Sequence, residues 1–344
     1  MIDRLLQTLY NKLFINIVLD GKESSVYIEL CSNGKNLELL KNAQQTFQTE
    51  SVNIKMLEFI ESYTRETPYF YLSVLDTSSS QGALPTCDAT KFSLFGEIGE
   101  CESRCVGQKW SYYTQKSELK ALINKYERVG VDFVFSPFAI LSRFFKDKVE
   151  TSFALFVLIQ QEQVTLSVFS EGALLFAKNV DMEFIPQENS LTSSYLDEEL
   201  ELDLDDGIDL EGVDVDSEEM ELIDDFGDIE DLDSLEEIDE FSEEKEIKNS
   251  FDTVFDEKKS DFSSNESFNE DYARFKIIHA ALGEYYQDKR YESRFVENIY
   301  VADSVSMSMD FKRYLEEELF VNVFVRRIEM VVELCELAKM ELKA

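Results

Sequence analysis

The chain has 344 residues and is 44% hydrophobic, which is enough apolar material to bury a core in two domains or in one two-lobed domain. Its formal net charge is -38, and such an excess of carboxylates repels the phosphates of nucleic acids and of anionic lipids. We therefore expect no binding to nucleic acid. The imbalance is local, because the stretch from Asp197 to Glu240 contains no Lys, Arg or His.

The sequence favours a cytoplasmic protein. No apolar run approaches the ~20 residues that a membrane-spanning helix needs, so we expect no direct membrane insertion. The N-terminus lacks a cationic region followed by an apolar core, which predicts no secretory signal. Five cysteines, an odd number, favour reduced thiols over a disulfide framework.

Alternating apolar residues predict a β-meander near the start of the chain. The alternation covers residues 15–19 and 26–30, with turns at Asp20-Gly21 and Asn33-Gly34. Downstream, periodicity predicts helices over 52–63, 117–128 and 137–145, and strands over 69–75 and 131–135. Residues 76–85, rich in Ser and Gly, are expected to form a loop.

The meander pattern returns in the second half of the chain. Residues 153–159, 163–169 and 174–180 are predicted strands, with a turn at Glu171-Gly172. A constant offset of about 138 positions places the first pattern on the second, which predicts two related halves. The aligned pairs are Val26 with Val164, Ile28 with Leu166, Leu30 with Val168, and Gly34 with Gly172. Chance similarity of two meanders is the alternative.

A long acidic insertion interrupts the second half. Acidic residues, Ser and Asn dominate residues 187–271, and this composition predicts disorder. Beyond it, helices are predicted over 272–286, 309–319 and 328–342. Residues 295–302 are predicted to contain a strand, at 299–301, and a further strand is predicted over 321–325. We therefore assign residues 1–150 to the first half, residues 151–186 plus 272–344 to the second half, and residues 187–271 to the insertion.

Several short segments resemble a known family. They are LKALI at 119–123, VGVDF at 129–133, PFAIL at 137–141, VFSEGALLF at 168–176, IYV at 299–301 and YLEEEL at 314–319. With the repeated meander, they resemble the actin-like ATPase superfamily, and within it the PilM family of type IV pilus assembly and the cytoplasmic part of GspL. The resemblance implies an α/β, actin-like fold: two lobes of ribonuclease H-like duplicated architecture, here with a long acidic disordered insertion.

The resemblance also implies a function. PilM-like proteins act as non-catalytic cytoplasmic scaffolds of type IV pilus or type II secretion platforms, and flagellar motors can use similar parts. They lie at the periphery of the inner membrane and hold the cytoplasmic segment of a single-pass protein of PilN type in a groove of the first half. We expect the same kind of partner here, and oligomerisation stays open.

The nucleotide motifs of that superfamily are degenerate in this chain. Nucleotide-binding members use Gly turns whose backbone amides approach the phosphates. The first turn retains Asp20, Gly21, Ser24 and Ser25. The second, at residues 159–163, offers neither the acid for a metal-bound water nor the glycine, and residues 301–305 lack a Gly-Gly pair. We therefore expect no ATPase activity and no cofactor. The alternatives are an ATP and Mg²⁺ switch that uses these four residues, or an ordinary hairpin turn.

The acidic insertion carries apolar residues at every third position. They are Met220, Ile223, Phe226, Ile229, Leu232, Leu235 and Ile238, followed by Phe241. This spacing predicts either a solvated disordered segment or one that folds onto a partner with a basic-rimmed apolar groove. A third reading is an acidic mimic that binds a basic protein.

Other candidate residues favour structural roles. His279 is the only histidine, and its helical context predicts a packing residue rather than a catalytic base. Cys87, Cys101 and Cys105 are predicted to be free thiols, with a thiol pair or a metal site as the alternatives.

Overall fold

The computed structural model describes residues 10–34, 36–67, 69–182, 260–290 and 294–343. Its strands, in chain order, are β1 (Lys12–Asp20), β2 (Glu23–Cys31), β3 (Leu39–Gln48), β4 (Phe70–Leu75), β5 (Gln81–Leu84), β6 (Cys101–Val106), β7 (Trp110–Gln115), β8 (Phe133–Phe135), β9 (Phe153–Ile159), β10 (Gln163–Ser170), β11 (Ala173–Asp181), β12 (Asn298–Asp303) and β13 (Asn322–Arg327). The helices are α1 (Ile54–Thr64), α2 (Lys116–Lys125), α3 (Pro137–Phe144), α4 (Lys146–Val149), α5 (Ser260–Gln287), α6 (Met309–Leu319) and α7 (Met330–Lys343).

Two five-stranded sheets repeat one topology. The first has the order β3-β2-β1-β4-β8 and the second the order β11-β10-β9-β12-β13. In each, the first three strands are antiparallel neighbours and the last two run parallel to the central strand. Mixed sheets with the same order and directions, one in each half, form the duplicated arrangement of actin-like proteins. The chain therefore has an actin-like, two-lobed α/β fold, as predicted.

The hairpins correct the offset between the halves. Asp20 pairs with Glu23 at the end of the first hairpin, and the amide of Gln160 donates to the carbonyl of Gln163 at the end of the second. Matching these turns places Gln160 on Asp20, an offset of 140 (160 − 20). The predicted offset is two residues shorter. A slip of two preserves the alternation of inward and outward side chains, so the apolar pattern alone could not detect it.

Helices cover both sheets in layers. α1 and α2 pack on the outer face of the first sheet, with Met56, Ile60 and Leu122 in its core. α5 and α6 cover the outer face of the second sheet through residues such as Ile278 and Leu315. α3 and α7 contribute to the core shared by the two sheets. Each of these two helices follows the last strand of one half and packs on the sheet of the other half.

Helix starts follow local capping chemistry. The side chain of Asn53 accepts a hydrogen bond from the amide of Met56 at 3.0 Å and caps α1. Ser136 caps α3 and is followed by Pro137, whose fixed φ suits the first helical position. Ser308 caps α6 in the same way, at 3.2 Å from the amide of Phe311.

One strand of a small three-stranded sheet lies where the sequence predicts a loop. Its order is β5-β7-β6, and β5 falls inside the Ser- and Gly-rich residues 76–85. The loop prediction is wrong there, because the small residues fit beside a ring. Tyr113 pairs with Gly82, and its hydroxyl group would lie 2.6 Å from a Cβ at that position.

The cysteine prediction is wrong for two residues. Cys87 and Cys105 form a disulfide, whereas Cys31, Cys101 and Cys335 are free thiols. The chain after β5 crosses the end of β7, where Cys87 contacts the carbonyl of Trp110, and so reaches β6. Sequence spacing does not reveal this crossing, because the two cysteines are 18 residues apart.

The acidic segment is shorter than predicted at its C-terminal end. α5 begins at Ser260, earlier than the predicted start at Tyr272 and inside the predicted insertion 187–271. The apolar stripe from Met220 to Ile238, with Phe241, lies outside the described residues.

Candidate functional site

The turns of the two equivalent hairpins meet between the lobes. Gly21 lies in the β1–β2 turn with a φ of +62°, a left-handed conformation that favours glycine. A Cβ on Gly21 would lie 3.0 Å from the side chain of Gln161 in the β9–β10 turn. Glycine thus permits both the turn and the close approach of the second lobe.

Asp20 joins the two turns by hydrogen bonds. The amide of Gln161 donates to both carboxylate oxygens at 3.0 Å, and the amide of Glu162 donates at 3.3 Å. Burial raises the pKa of the Asp20 carboxyl, while these amides and the nearby Arg274 act in the opposite direction. The backbone amides at the turn of the second hairpin therefore already donate hydrogen bonds to a carboxylate of the protein itself.

The other residues of the predicted phosphate loop lie in different places. The hydroxyl of Ser24 is buried and donates to the carbonyl of Thr49, away from the interlobe space. Ser25 faces that space, with its hydroxyl 3.3 Å from that of Thr46. The structure brings Asp20, Gly21 and Ser25 to the interlobe space and directs Ser24 to the sheet edge.

A cavity of about 510 Å³ lies beside the Asp20 contact. Its charged lining residues are Asp20, Glu23, Glu270, Glu329, Arg274 and Arg327. Both arginines already have carboxylate partners: Arg274 pairs with Asp271 at 2.9 Å and Arg327 with Asp303 at 3.3 Å. The cavity is thus lined by more carboxylates than cations, and its cations are committed within the protein.

The loop after β12 is held by Asp303. Its carboxylate accepts hydrogen bonds from the amides of Val305, Ser306 and Met307 at 2.9 to 3.2 Å. Val305 and Ser306 line the cavity at the end of residues 301–305, the segment in which the sequence lacks the Gly-Gly pair expected of a nucleotide-binding member. Side chains therefore occupy space that glycines would leave open.

A second, smaller site lies in the first lobe. A groove of about 120 Å³ separates the small sheet from the outer edge of the first sheet. Leu119 of α2, Val134 of β8 and Tyr112 of β7 form its apolar part, and Arg104 and Glu102 of β6 add charge. Sequence reasoning missed this groove, because the small sheet that forms one wall was not predicted.

Neither His279 nor the cysteines form a metal site. His279 is exposed on α5 and stacks on Phe275 at 5.9 Å, so it packs on its own helix rather than in the core. Within the described ranges, no group of three or more His, Cys, Asp or Glu residues could hold a metal ion. In the same ranges no helix is both long and apolar enough to cross a bilayer.

Two protein-family models match the chain. Residues 10–142 match one described as "Domain of unknown function (DUF8569)", and residues 155–343 match one described as "Domain of unknown function (DUF8341)". The chain belongs to the DUF8341 family. In this family member the first match contains the first sheet and the small sheet, and the second contains the second sheet and α7.

Solved structures of low sequence identity are similar to this DUF8341 protein. A Bacteroides thetaiotaomicron protein with an actin-like ATPase fold and unknown function is 11% identical over 95% of this chain and 94% of that one, with a TM-score of 0.45. A chain of the PilM-PilN type IV pilus biogenesis complex is 10% identical over 92% and 88%, with a TM-score of 0.45. MreB 5 of Spiroplasma citri, bound to AMPPNP, is 10% identical over 96% and 95%, with a TM-score of 0.40. No curated protein matches.

Proposed function

We propose that this protein is a non-catalytic, actin-like scaffold that binds a protein segment and does not use ATP. The observation that carries the proposal is the contact of Asp20 with the amides of Gln161 and Glu162. A phosphate bound at these amides would have to displace a carboxylate that already accepts their hydrogen bonds. The protein thereby supplies its own anion at the junction of the lobes.

The charge of the interlobe cavity supports the same conclusion. Asp20, Glu23 and Glu329 line it, Glu270 pairs with Arg274 at 3.0 Å, and Arg327 pairs with Asp303. A triphosphate placed there would face carboxylates at short range, where like charges repel by more than they do in bulk water. The alternative function, an ATP-binding switch, would need both this repulsion and the Asp20 contact to be overcome.

The groove of the first lobe is the proposed partner site. Leu119, Tyr112 and Val134 offer apolar contacts, and the rim carries Arg104, which pairs with Glu341 of the C-terminal helix. Such a groove suits a short extended or helical segment with apolar anchors. Following the resemblance to the PilM family, we propose that the segment belongs to a single-pass inner-membrane protein of PilN type. The scaffold would then lie in the cytoplasm at the membrane periphery.

Affinity purification from detergent-solubilised membranes tests the partner. We expect the full chain to recover a single-pass membrane protein, and a peptide of that protein's cytoplasmic segment to bind the purified chain. Leu119→Ala should lower the affinity for this peptide about tenfold, as expected when an apolar anchor residue is removed. Ile123→Ala is the matched control, because Ile123 lies on the same helix but outside the groove. Equal affinity of both variants would overturn the groove assignment.

Isothermal titration with Mg-ATP tests the absence of nucleotide binding. We expect no heat of binding up to millimolar nucleotide at two temperatures, because a binding enthalpy can vanish at one temperature by chance. Thermal unfolding in the same buffers should show no shift, since a ligand of the native state stabilises it by mass action. A saturable isotherm would favour the ATP switch instead.

A further inference from the structure

The middle helices cover the two sheets unequally. α7 has 14 residues and packs on β1, β2, β4 and β8 of the first sheet. Its counterpart α3 has 8 residues and packs chiefly on β9 and β10 of the second. The longer helix therefore reaches the outer parallel strands of the first sheet. The shorter one leaves the equivalent strands, β12 and β13, less covered.

The first sheet carries an aromatic row on the face that α7 covers. The rings of Phe14 and Tyr71 are 5.8 Å apart, and those of Tyr71 and Phe133 are 6.3 Å apart. Tyr71 and Phe133 are half-buried and pack against the core cluster that contains Leu334 and Ala338 of α7. This aromatic row is thus part of the surface on which α7 packs.

The second sheet carries an equivalent row, which is open at its end. The rings of Phe156 and Tyr300 are 5.3 Å apart and those of Tyr300 and Phe324 are 5.0 Å apart, both stacked. The row again runs from the central strand to the edge strand. Phe324 is 47% exposed, however, although it lies on the face that packs in the middle layer.

Arginine–carboxylate pairs help to hold α7 on the first lobe. Arg143 pairs with Glu333 and, at 3.5 Å, with Glu336, and Arg104 pairs with Glu341. A helix on this kind of surface therefore combines an apolar stripe with carboxylates on its flank.

A cation is also present beside the open row. The guanidinium of Arg326 lies 5.6 Å from the ring centroid of Phe145, which in turn contacts Tyr300. In the part of the chain that the structure describes, no carboxylate oxygen lies within 4.0 Å of this guanidinium. An exposed aromatic row thus lies next to a cation that has no carboxylate partner among the described residues, in a chain whose net charge is -38.

We propose that Tyr300, Phe324 and Arg326, which we call the aromatic face, bind an acidic amphipathic helix of a partner protein. Apolar residues at spacings of three and four would lie on the two rings, and a carboxylate would pair with Arg326. A second copy of the chain is a poorer occupant, because the α7 of each copy already covers the first sheet of that copy. The aromatic face lies in the second lobe, so this site is separate from the groove in the first lobe.

The α7 sequence itself provides a probe, because it already occupies the equivalent row. A labelled peptide of residues 330–343, with Ser in place of Cys335, is titrated into the full-length protein and followed by fluorescence anisotropy. We expect saturable binding that weakens as salt rises, since the charge pair is exposed to solvent. Phe324→Ala should weaken binding about tenfold. Arg326→Glu should weaken it and remove most of the salt dependence.

Arg313→Glu is the matched control, because Arg313 is an exposed arginine of α6 on the other side of the second sheet. It should leave the affinity unchanged. No binding at millimolar peptide, or binding that Phe324→Ala does not weaken, would overturn the proposal. Sedimentation that shows a dimer of the wild-type protein but not of Phe324→Ala would also overturn it, by assigning the face to a second copy.

Discussion

Asp20 in the first lobe accepts hydrogen bonds from the amide of Gln161 in the second, at 3.0 Å to each carboxylate oxygen. The donor is a backbone group, which no substitution of Gln161 other than proline removes. The acceptor is a single side chain. The link between the lobes can therefore be tested by changing Asp20 alone.

Asp20→Ala should destabilise the protein by about 1–3 kcal/mol, because it leaves the amides of Gln161 and Glu162 without their acceptor. Asp20→Asn should cost less, since the amide oxygen of Asn still accepts one of these hydrogen bonds. Urea unfolding measures both free energies. Glu23→Gln, at the first residue of β2, is the control and should have an effect near zero, because the amide oxygen of Gln can still accept from Gln48. Equal stability of wild type and Asp20→Ala would show that the contact does not hold the lobes together.

Stability should also depend on pH through Asp20. Burial raises the pKa of its carboxyl above the ordinary value of 3.8 in the folded state. Between the ordinary pKa, which applies to the unfolded chain, and the higher pKa of the folded chain, the folded chain binds more protons than the unfolded chain. The free energy of unfolding therefore falls as the pH rises through this window. The free energy of unfolding is measured for wild type and Asp20→Asn from about pH 3 to pH 7. As the pH increases, the wild type should lose stability relative to Asp20→Asn. A constant difference would contradict the raised pKa.

Periodic elements were predictable from the sequence, and the reason is local. The strand predicted over 153–159 has the same bounds as β9, because its apolar run ends at polar turn residues. The helix predicted over 309–319 has the same bounds as α6, because Ser308 caps its start. Signals of this kind depend only on neighbours in the chain.

Two features of the candidate site were not predictable for a physical reason. The donors to Asp20 are backbone amides, which almost every residue carries, so the residue types at 159–163 could not mark them. The groove depends on the small sheet, whose strand β5 has four residues, Gln81 to Leu84, too few for a periodic signal. Both features arise from contacts between segments far apart in the chain.

Lys339→Met should destabilise the protein by about 3–5 kcal/mol, because it leaves the buried carboxylate of Glu29 without its cation. The side chains of this ion pair are 5% and 11% exposed, and the pair joins α7 to β2. Burial opposes ionisation of Glu29, but hydrogen bonds from Lys339 and Cys31 outweigh it and hold its pKa below the usual range. Lys312→Met is the control, since the pair with Glu316 is solvent-exposed and should contribute less than about 1 kcal/mol. Similar losses in the two variants would contradict a buried pair.

The disulfide can be tested by counting reactive thiols. Denatured, unreduced protein should react with a thiol reagent at three cysteines, Cys31, Cys101 and Cys335, and at all five after reduction. Because Cys87 and Cys105 are 18 residues apart, replacing both by Ser should lower the free energy of unfolding by about 3 kcal/mol, the loop-closure value. Protein purified under reducing conditions is the control, and all five of its cysteines should react. Five reactive thiols before reduction would instead support the original prediction of free cysteines.

Phe320→Gly should stabilise the protein by about 1 kcal/mol, the cost of a left-handed conformation for a residue with a Cβ. Phe320 ends α6 with a φ of 54° and its side chain is 84% exposed, so the substitution removes strain and little packing. Urea unfolding should show a higher midpoint and an unchanged slope. Phe324→Gly, in the neighbouring strand, provides the contrast: it removes a ring stacked on Tyr300 and places glycine inside β13, so it should destabilise. A lower midpoint for Phe320→Gly would contradict this prediction, because the exposed ring would then contribute more to stability than the left-handed conformation costs.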